Sequence, residues 1–253
     1  MVLKAHQQGR LLTLTIDSPA SNNALDAVLL EALGHALDRA EADPSVRVVA
    51  LAATGPVFCS GADLGGPSGS APPETARLYF RTLRRLASSS RIVVAVVDGA
   101  VQAGGVGLVA ASDHVLCSQA ATFRLPEVLI GLIPACVLPF LIRRTGLHSA
   151  QMLALTAHRI DAPRALELRL VDQVVPDVVE ALRRFVLSVE RIPEPAVATL
   201  KAYMDQLVPV TDREEELAVS SIAALMQHPD SLDRVRELVA HGLWTGGRHE
   251  SGR

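Results

Sequence analysis

The sequence predicts an α/β fold whose C-terminal third is helical. Two runs, residues 46–52 and 92–97, are apolar at nearly every position, which is typical of strands buried on both faces. Apolar residues at three- and four-residue spacing precede and separate these runs, which indicates helices. Beyond about residue 196 only the helical period remains. Strands and helices that alternate and then give way to helices indicate a layered α/β core with a helical appendage.

The remaining elements are predicted from period and stop signals in chain order. The stretch 12–16 alternates leucine or isoleucine with threonine, which predicts a strand with one buried face. Helical spacing follows over 26–40 and stops at an Asp-Pro pair. Residues 66–73 are Gly, Pro, Ser and Ala and predict a surface loop before a helix over 74–87. Residues 114–117 predict a fourth strand.

These elements divide the chain into a core and a helical region. We place the core at residues 1–192 and a C-terminal helical region at 193–253. Residues 245–253 resemble a frayed tail, because they lack an apolar period.

Composition excludes several classes of protein. The 253 residues include 24 Lys+Arg and 27 Asp+Glu, which give a formal charge of −3 and do not indicate a basic phosphate-binding face. Only 3% of the residues are aromatic, so a base-stacking surface is not indicated either. No apolar run approaches the ~20 residues of a membrane span. Residues 1–8 lack the apolar stretch typical of a signal peptide, the three cysteines form no CxxC pair, and the eight histidines lack metal-ligand spacing. We expect a cytoplasmic protein with no structural metal, nucleic acid or membrane partner.

The first segment with unusual content, residues 55–64, follows the strand at 46–52. Small residues at Gly61 and Ala62 allow a ligand to approach the backbone, so that peptide N–H groups point at it. An ordinary turn capped by Asp63 is the alternative. Cys59 and Ser60 are weak candidates for a nucleophile, because no motif supplies a base.

The second segment, residues 98–108, is rich in glycine and follows the strand at 92–97. Gly105-x-Gly107-x-x-Ala110 formally fits a dinucleotide fingerprint, but seven residues separate the strand from these glycines, whereas the fingerprint needs almost none. The glycines better support exposed amides before a helix, a site for an oxyanion.

The third segment, residues 123–134, holds one carboxylate in an apolar run. Desolvation of Glu127 would raise its pKa and suit it to general-base work near neutral pH. The alternative is a surface helix with an outward glutamate.

Taken together, these segments resemble the crotonase (enoyl-CoA hydratase/isomerase) superfamily over nearly the whole chain. Residues 58–64 resemble its FxxGADL stretch, 98–107 its NGxxxGGG loop and 126–134 its PExxxGxxP segment. Residues 21–26 resemble its early turn. Residues 158–175 resemble a later A-x-x-x-G-L-V-D stretch, although Arg169 replaces the usual glycine.

The resemblance implies a crotonase-like spiral of ββα turns, a homotrimer or hexamer built with the C-terminal helices, and an acyl thioester substrate. It assigns the oxyanion hole to the N–H groups of Ala62 and Gly104 and the general acid/base role to Glu127. No cofactor is implied beyond the phosphopantetheine or CoA that carries the substrate. Further substrate-binding positions implied by the same motifs are Gly61, Asp63, Gly105, Pro134 and Cys136.

One departure from the hydratase pattern narrows the activity. Hydratases carry two glutamates, and the first corresponds here to Gly107, so a mechanism that needs two carboxylates to activate water is disfavoured. Residues 134–144, PACVLPFLIRR, resemble the dehydratases of polyketide β-branching, which convert 3-hydroxy-3-methylglutaryl to 3-methylglutaconyl on an acyl carrier protein. An enoyl thioester isomerase with one glutamate and a catalytically silent assembly subunit remain alternatives.

A carrier-bound substrate requires a docking surface and a site for its free carboxylate. Arg77, Arg81, Arg84 and Arg85 lie at helical spacing and are candidates for docking an acidic carrier protein. A solvated helix face or a trimer contact is the alternative. For the carboxylate, the candidates are Arg124, His148 and Tyr79.

Overall fold

The computed structural model describes residues 2–62 and 73–240 and has the predicted α/β class. Its strands are, in chain order, β1 (Leu3–Gln8), β2 (Leu11–Ile16), β3 (Val48–Ala53), β4 (Val57–Cys59), β5 (Ile92–Val97), β6 (Ala100–Gln102), β7 (His114–Cys117), β8 (Thr122–Arg124), β9 (Ile160–Asp161) and β10 (Gln173–Val174). Its helices are α1 (Ala27–Ala42), α2 (Pro73–Ser88), α3 (Gly104–Ala110), α4 (Leu138–Thr145), α5 (Leu147–Thr156), α6 (Ala162–Glu167), α7 (Val178–Val189), α8 (Glu194–Leu207), α9 (Asp212–Met226) and α10 (Pro229–Ala240). Short 3-10 helices span Pro19–Ser21 and Glu127–Ile130.

The larger sheet has six strands in the order β1-β2-β3-β5-β7-β10, and only β1 runs antiparallel to its neighbour. Val49 and Leu51 of β3 belong to the main hydrophobic cluster, which includes α1 and α2. Val48 and Ala50 belong to a second cluster with α7 on the opposite face. Because successive side chains of a strand point to opposite faces, a strand covered on both sides must be apolar throughout. The strands predicted from the two apolar runs are confirmed.

A smaller sheet, in the order β4-β6-β8-β9, produces the spiral. The strands β3, β5 and β7 of the large sheet are each followed by one short strand, β4, β6 or β8, in the small sheet. The next helix is α2 after β4, α3 after β6 and the 3-10 helix Glu127–Ile130 after β8. After α2 and α3 the chain returns to the large sheet, and after the 3-10 helix it continues into α4. This repeated strand–strand–helix unit is the spiral that the resemblance implies.

The helices predicted over 26–40 and 74–87 are confirmed, with ends that differ by one or two residues. Asp26 caps α1 by accepting a hydrogen bond from the backbone N–H of Leu29 at 2.7 Å. The strand at 114–117 is also confirmed, and the described part of the C-terminal region, up to residue 240, contains α8, α9 and α10, as the helical period predicts. The loop predicted at 66–73 and the tail at 245–253 lie outside the described residues, apart from Pro73, which begins α2.

The C-terminal helices pack back onto the core. Helix α9 contacts α2, and α10 contacts the 3-10 helix Glu127–Ile130. Over residues 2–62 and 73–240, no helix combines the length and apolarity needed to cross a membrane.

Candidate active site

The three segments singled out in the sequence meet at one end of the small sheet. Strands β4, β6 and β8 are parallel neighbours, so their carboxyl ends lie at the same edge. Ala62 follows β4, Gly104 follows β6 and Glu127 follows β8, each within three residues of the strand end. In parallel sheets this edge is the usual place for a ligand.

A cavity of about 110 Å³ opens at this edge and is lined almost entirely by apolar groups. Glu127 is the one carboxylate among its described lining residues. Ala62, Gly104, Pro134 and Cys136, which were predicted for the site, also line it. The lining residues that the sequence did not predict are Leu25, Leu30, Thr75, Ala76, Ala103, Leu132, Ile133, Ala135, Val137, Ile222 and Met226. Ile222 and Met226 belong to α9, so the C-terminal region closes part of the cavity wall.

The turn that carries Ala62 lies against the loop that carries Gly104. Gly61 has φ +89°, and a Cβ at this position would lie 2.5 Å from the Ala103 Cβ and 3.1 Å from the Gly104 nitrogen. A residue with a side chain would therefore separate the two backbone segments. Gly61, predicted to bind substrate, contributes this close approach rather than a wall of the cavity.

Gly105 has a similar role behind the cavity. A Cβ there would lie 2.7 Å from the Cys59 carbonyl oxygen, so glycine allows α3 to begin directly against β4. Gly105 does not line the cavity, contrary to the expected substrate contact, because it faces β4. Asp63, the remaining predicted binding residue, lies outside the described residues.

Glu127 lies in the first turn of the 3-10 helix and is 8% exposed. Its Oε2 accepts no hydrogen bond from the described residues. Burial raises the pKa of Glu127 to about 8, because the apolar surroundings disfavour the charged carboxylate. The alternative of an outward, solvated glutamate is wrong.

The two cysteines near the cavity, Cys59 and Cys136, are buried. Burial raises the pKa of Cys59 and of Cys136 to about 12, so both thiols are protonated near neutral pH. Cys136 donates weakly to the Ala76 carbonyl oxygen at 3.8 Å.

Asn23 fixes the early turn to the loop before Ala62. Its side chain is fully buried, donates to the carbonyl oxygens of Thr54 and Val57 at 2.9 and 2.7 Å, and accepts from the Ser18 N–H at 2.8 Å. The family motif identified the turn at residues 21–26. It could not show the hydrogen bonds from Asn23 to Thr54 and Val57, because these residues lie more than thirty positions further along the chain.

Of the candidates for binding a substrate carboxylate, only Tyr79 lines the cavity. Arg124 donates to the Ala157 carbonyl oxygen at 2.9 Å, and His148 lines a separate hollow near α5 and α6. No lysine, arginine or histidine lies among the described lining residues of the active-site cavity.

In the part of the chain that the structure describes, no group of three or more metal-ligating side chains is found.

The four docking arginines are paired with carboxylates of the same chain. Arg77, Arg81 and Arg84 contact Glu215 of α9 at 3.3, 2.8 and 3.4 Å, and Glu215 is 2% exposed. Arg85 contacts Asp38 and Glu41 of α1. These ion pairs attach α2 to α9 and α1. Docking of an acidic carrier protein by the four arginines stays a prediction.

The strand–strand–helix spiral is the crotonase fold, and comparison with known proteins shows the family. The sequence profile of the enoyl-CoA hydratase/isomerase family matches residues 6–241, and the chain belongs to this family. Members of the family act on acyl thioesters, and their activities include hydration, dehydration and isomerisation.

Particular relatives include a polyketide enzyme. Bacillaene synthase dehydratase PksH of Bacillus subtilis strain 168 is 30% identical over 90% of both chains. The crystal structure of pksH from Bacillus subtilis superposes with a TM-score of 0.89, 28% identity and coverage of 96% of this chain and 98% of that one. An enoyl-CoA hydratase from Mycobacterium avium gives a TM-score of 0.88, 31% identity and coverage of 95% and 96%.

Proposed function

We propose that this protein dehydrates a β-hydroxy acyl thioester, and that the substrate is 3-hydroxy-3-methylglutaryl carried on an acyl carrier protein. The product is then the 3-methylglutaconyl thioester and water. One observation carries the proposal: a single buried carboxylate, Glu127, shares a cavity with the backbone of Ala62 and Gly104, while Gly107 stands where a hydratase has its other glutamate.

The chemistry follows from this arrangement. The Glu127 carboxylate takes the proton from the carbon next to the thioester carbonyl, and the electron pair moves onto the carbonyl oxygen. The N–H groups of Ala62 and Gly104 stabilise this enolate oxygen, and each such donor is worth on the order of 3 kcal/mol. When the enolate collapses, the bond to the β-hydroxyl breaks, and the protonated Glu127 returns its proton to the departing oxygen as water. One carboxylate thus serves as base and acid on one face of the substrate.

The raised pKa supports this dual role. A group that must accept and then donate a proton works best with a pKa near the working pH. With a pKa of about 8, Glu127 is a stronger base than an exposed glutamate and still keeps an ionised fraction of roughly a tenth near pH 7.

The substrate is proposed from the PksH likeness and from the cavity lining. The apolar wall formed by residues such as Leu132 and Met226 suits the methyl and methylene groups of a short branched acyl chain. Because the described lining has no cationic side chain, we place the distal carboxylate of the substrate toward the open side of the cavity. The scheme uses no cofactor beyond the thioester carrier.

Intact-mass measurement of the loaded carrier protein tests the proposal. We expect 3-hydroxy-3-methylglutaryl carrier protein to lose the mass of one water on incubation with the enzyme. The same acyl group on pantetheine, and a straight-chain 3-hydroxyacyl carrier protein, serve as comparison substrates.

The alternatives give different results. Double-bond migration in an enoyl thioester, without water loss from any hydroxyacyl substrate, would identify an isomerase, which one glutamate also permits. No change in either class of substrate would contradict both activities and favour an assembly subunit.

A further inference from the structure

Tyr79 of α2 joins the cavity to the loop that carries Gly104. Its side chain lines the cavity and is 8% exposed. Its hydroxyl donates a hydrogen bond to the Gly104 carbonyl oxygen at 2.5 Å. Burial raises the pKa of Tyr79 well above its usual value, so the hydroxyl stays protonated and remains a donor.

The same hydroxyl occupies the space beside Gly107. A Cβ at residue 107 would lie 2.0 Å from the Tyr79 hydroxyl oxygen and 3.0 Å from Leu83 Cδ1. No side chain fits at position 107 while Tyr79 keeps this position. The tyrosine and a glutamate at residue 107 therefore exclude each other.

The loop beside Tyr79 has a strained backbone. Ala103, which precedes Gly104, has φ +47° and ψ −123°, a combination that residues with a side chain rarely adopt. Such a conformation persists only where its surroundings hold it. Two backbone hydrogen bonds hold Ala103, from its N–H to the Arg124 oxygen and from the Val106 N–H to its own oxygen, both 2.9 Å. Tyr79 holds the next carbonyl along the chain.

We propose that Tyr79 is a positioning residue for the oxyanion hole: it fixes Gly104 through its carbonyl oxygen and fills the place of a second carboxylate. The hydroxyl hydrogen is committed to Gly104, so Tyr79 is not the group that binds a substrate carboxylate. The expected effect of Tyr79 on turnover rests on the proposed dehydration. Its expected effect on the polarisation of a bound thioester carbonyl does not depend on which reaction follows.

Tyr79→Phe tests the role in turnover, because it keeps the ring and removes the donor. Deleting a direct oxyanion donor costs about 100- to 1000-fold in kcat, and a donor that acts through the backbone should cost less, about 10- to 100-fold. We expect KM to change by less than about threefold and the pH midpoint set by Glu127 to stay in place. Thr156→Val, which removes a hydroxyl that donates to the Met152 carbonyl oxygen within α5, is the matched control.

Gly107→Ala tests the same contact by changing the residue that faces the Tyr79 hydroxyl. The added Cβ must displace the Tyr79 hydroxyl, so we expect a loss of kcat similar to that of Tyr79→Phe. In the double variant the severe clash with the hydroxyl oxygen is gone and only tight contacts with Leu83 Cδ1 and the ring of residue 79 remain, so its kcat should lie within a few-fold of Tyr79→Phe alone. If instead the loss of kcat in the double variant equals the product of the losses in the two single variants, the proposal is overturned. Each single variant tests it independently, should the other fail to fold.

A chromophoric ligand separates this proposal from the proposed function. A dimethylaminocinnamoyl pantetheine thioester absorbs at longer wavelength when its carbonyl accepts hydrogen bonds. We expect the parent to shift this absorption and Tyr79→Phe to lose at least half of the shift. If the parent dehydrates nothing but shifts the absorption of the dye, and Tyr79→Phe loses the shift, the proposed function fails and the role of Tyr79 stands. A full shift with unchanged kcat in Tyr79→Phe would overturn it.

Discussion

Glu127 combines its proposed catalytic role with an energetically costly environment. Because the base form must be ionised and burial raises its pKa to about 8, we expect kcat/KM to rise about tenfold per pH unit below pH 8 and to level off above it. A pH–rate profile over this range checks the expectation. A plateau that begins near pH 5 would show that the carboxyl group is solvated in the working enzyme.

The same pKa makes a prediction for stability. The folded protein holds the Glu127 proton up to about pH 8, whereas an unfolded glutamate releases it near 4.5. The unfolded state therefore binds fewer protons in this window, and the free energy of unfolding should fall as pH rises from about 4.5 to about 8. Glu127→Gln should lose this contribution, so its stability relative to the parent should increase with pH in urea titrations. A difference independent of pH would contradict the raised pKa.

Arg169 has a conformation that glycine adopts at lower cost. It stands where the family motif has glycine, is exposed, and has φ +61°. The left-handed region costs a residue with a side chain about 1–2 kcal/mol, which the greater chain entropy of unfolded glycine offsets in part. We expect Arg169→Gly to increase the free energy of unfolding by about 0.5–1 kcal/mol in a thermal melt. Arg169→Ala should leave it unchanged, and equal gains would assign the effect to charge instead.

Single residues show where sequence reasoning succeeds and where it stops. The burial of Glu127 is predictable because apolar residues surround it in sequence, and sequence neighbours of a short turn are also its neighbours in space. The contact between Tyr79 and Gly104 joins positions 25 residues apart, so no local pattern contains it. Because Gly107 has no side chain, another group must fill the space where a hydratase has its glutamate. The sequence does not identify that group.

Among the elements, long strands were predictable and short ones were not. Strands β3 and β5 have six residues each and a continuous apolar run. Strands β4, β6 and β8 have three residues each, too few to establish a period, although they bring the site together. Strand β1 was missed because five of its six residues are exposed and its sequence is largely polar.

The ion pairs between α2 and α9 predict how the arginines affect substrate binding. Arg81 and Arg84 hold Glu215 of α9, and α9 contributes Ile222 and Met226 to the cavity. Replacing both arginines by glutamine should raise KM for carrier-bound and pantetheine-bound substrate to the same extent, because the cavity wall moves in both cases.

Steady-state kinetics with the two substrates check this prediction. Arg164→Gln is the matched control, because Arg164 is exposed and pairs with Glu167 of its own helix at 2.6 Å. A rise in KM confined to the carrier-bound substrate would instead support the docking role that the sequence suggested for these arginines.

For the whole molecule, α8 presents an apolar surface that the described chain does not cover. Leu200, Tyr203 and Leu207 are 60%, 58% and 58% exposed. Contiguous apolar exposure of this kind marks protein interfaces. We expect native mass spectrometry to give a trimer or hexamer and Leu200→Asp to weaken it. A parent that stays monomeric at micromolar concentration would contradict the expectation.

The central claim is that one buried carboxylate, facing two backbone amides, removes water from a β-hydroxy acyl thioester. The most direct test compares the rate of water loss from 3-hydroxy-3-methylglutaryl carrier protein for the parent, Glu127→Gln and Glu31→Gln, a control on the exposed face of α1. We predict a loss of about 100-fold or more for Glu127→Gln and the parent's rate for the control. A Glu127→Gln rate within about tenfold of the parent would contradict the claim, because an essential base cannot be removed at so small a cost.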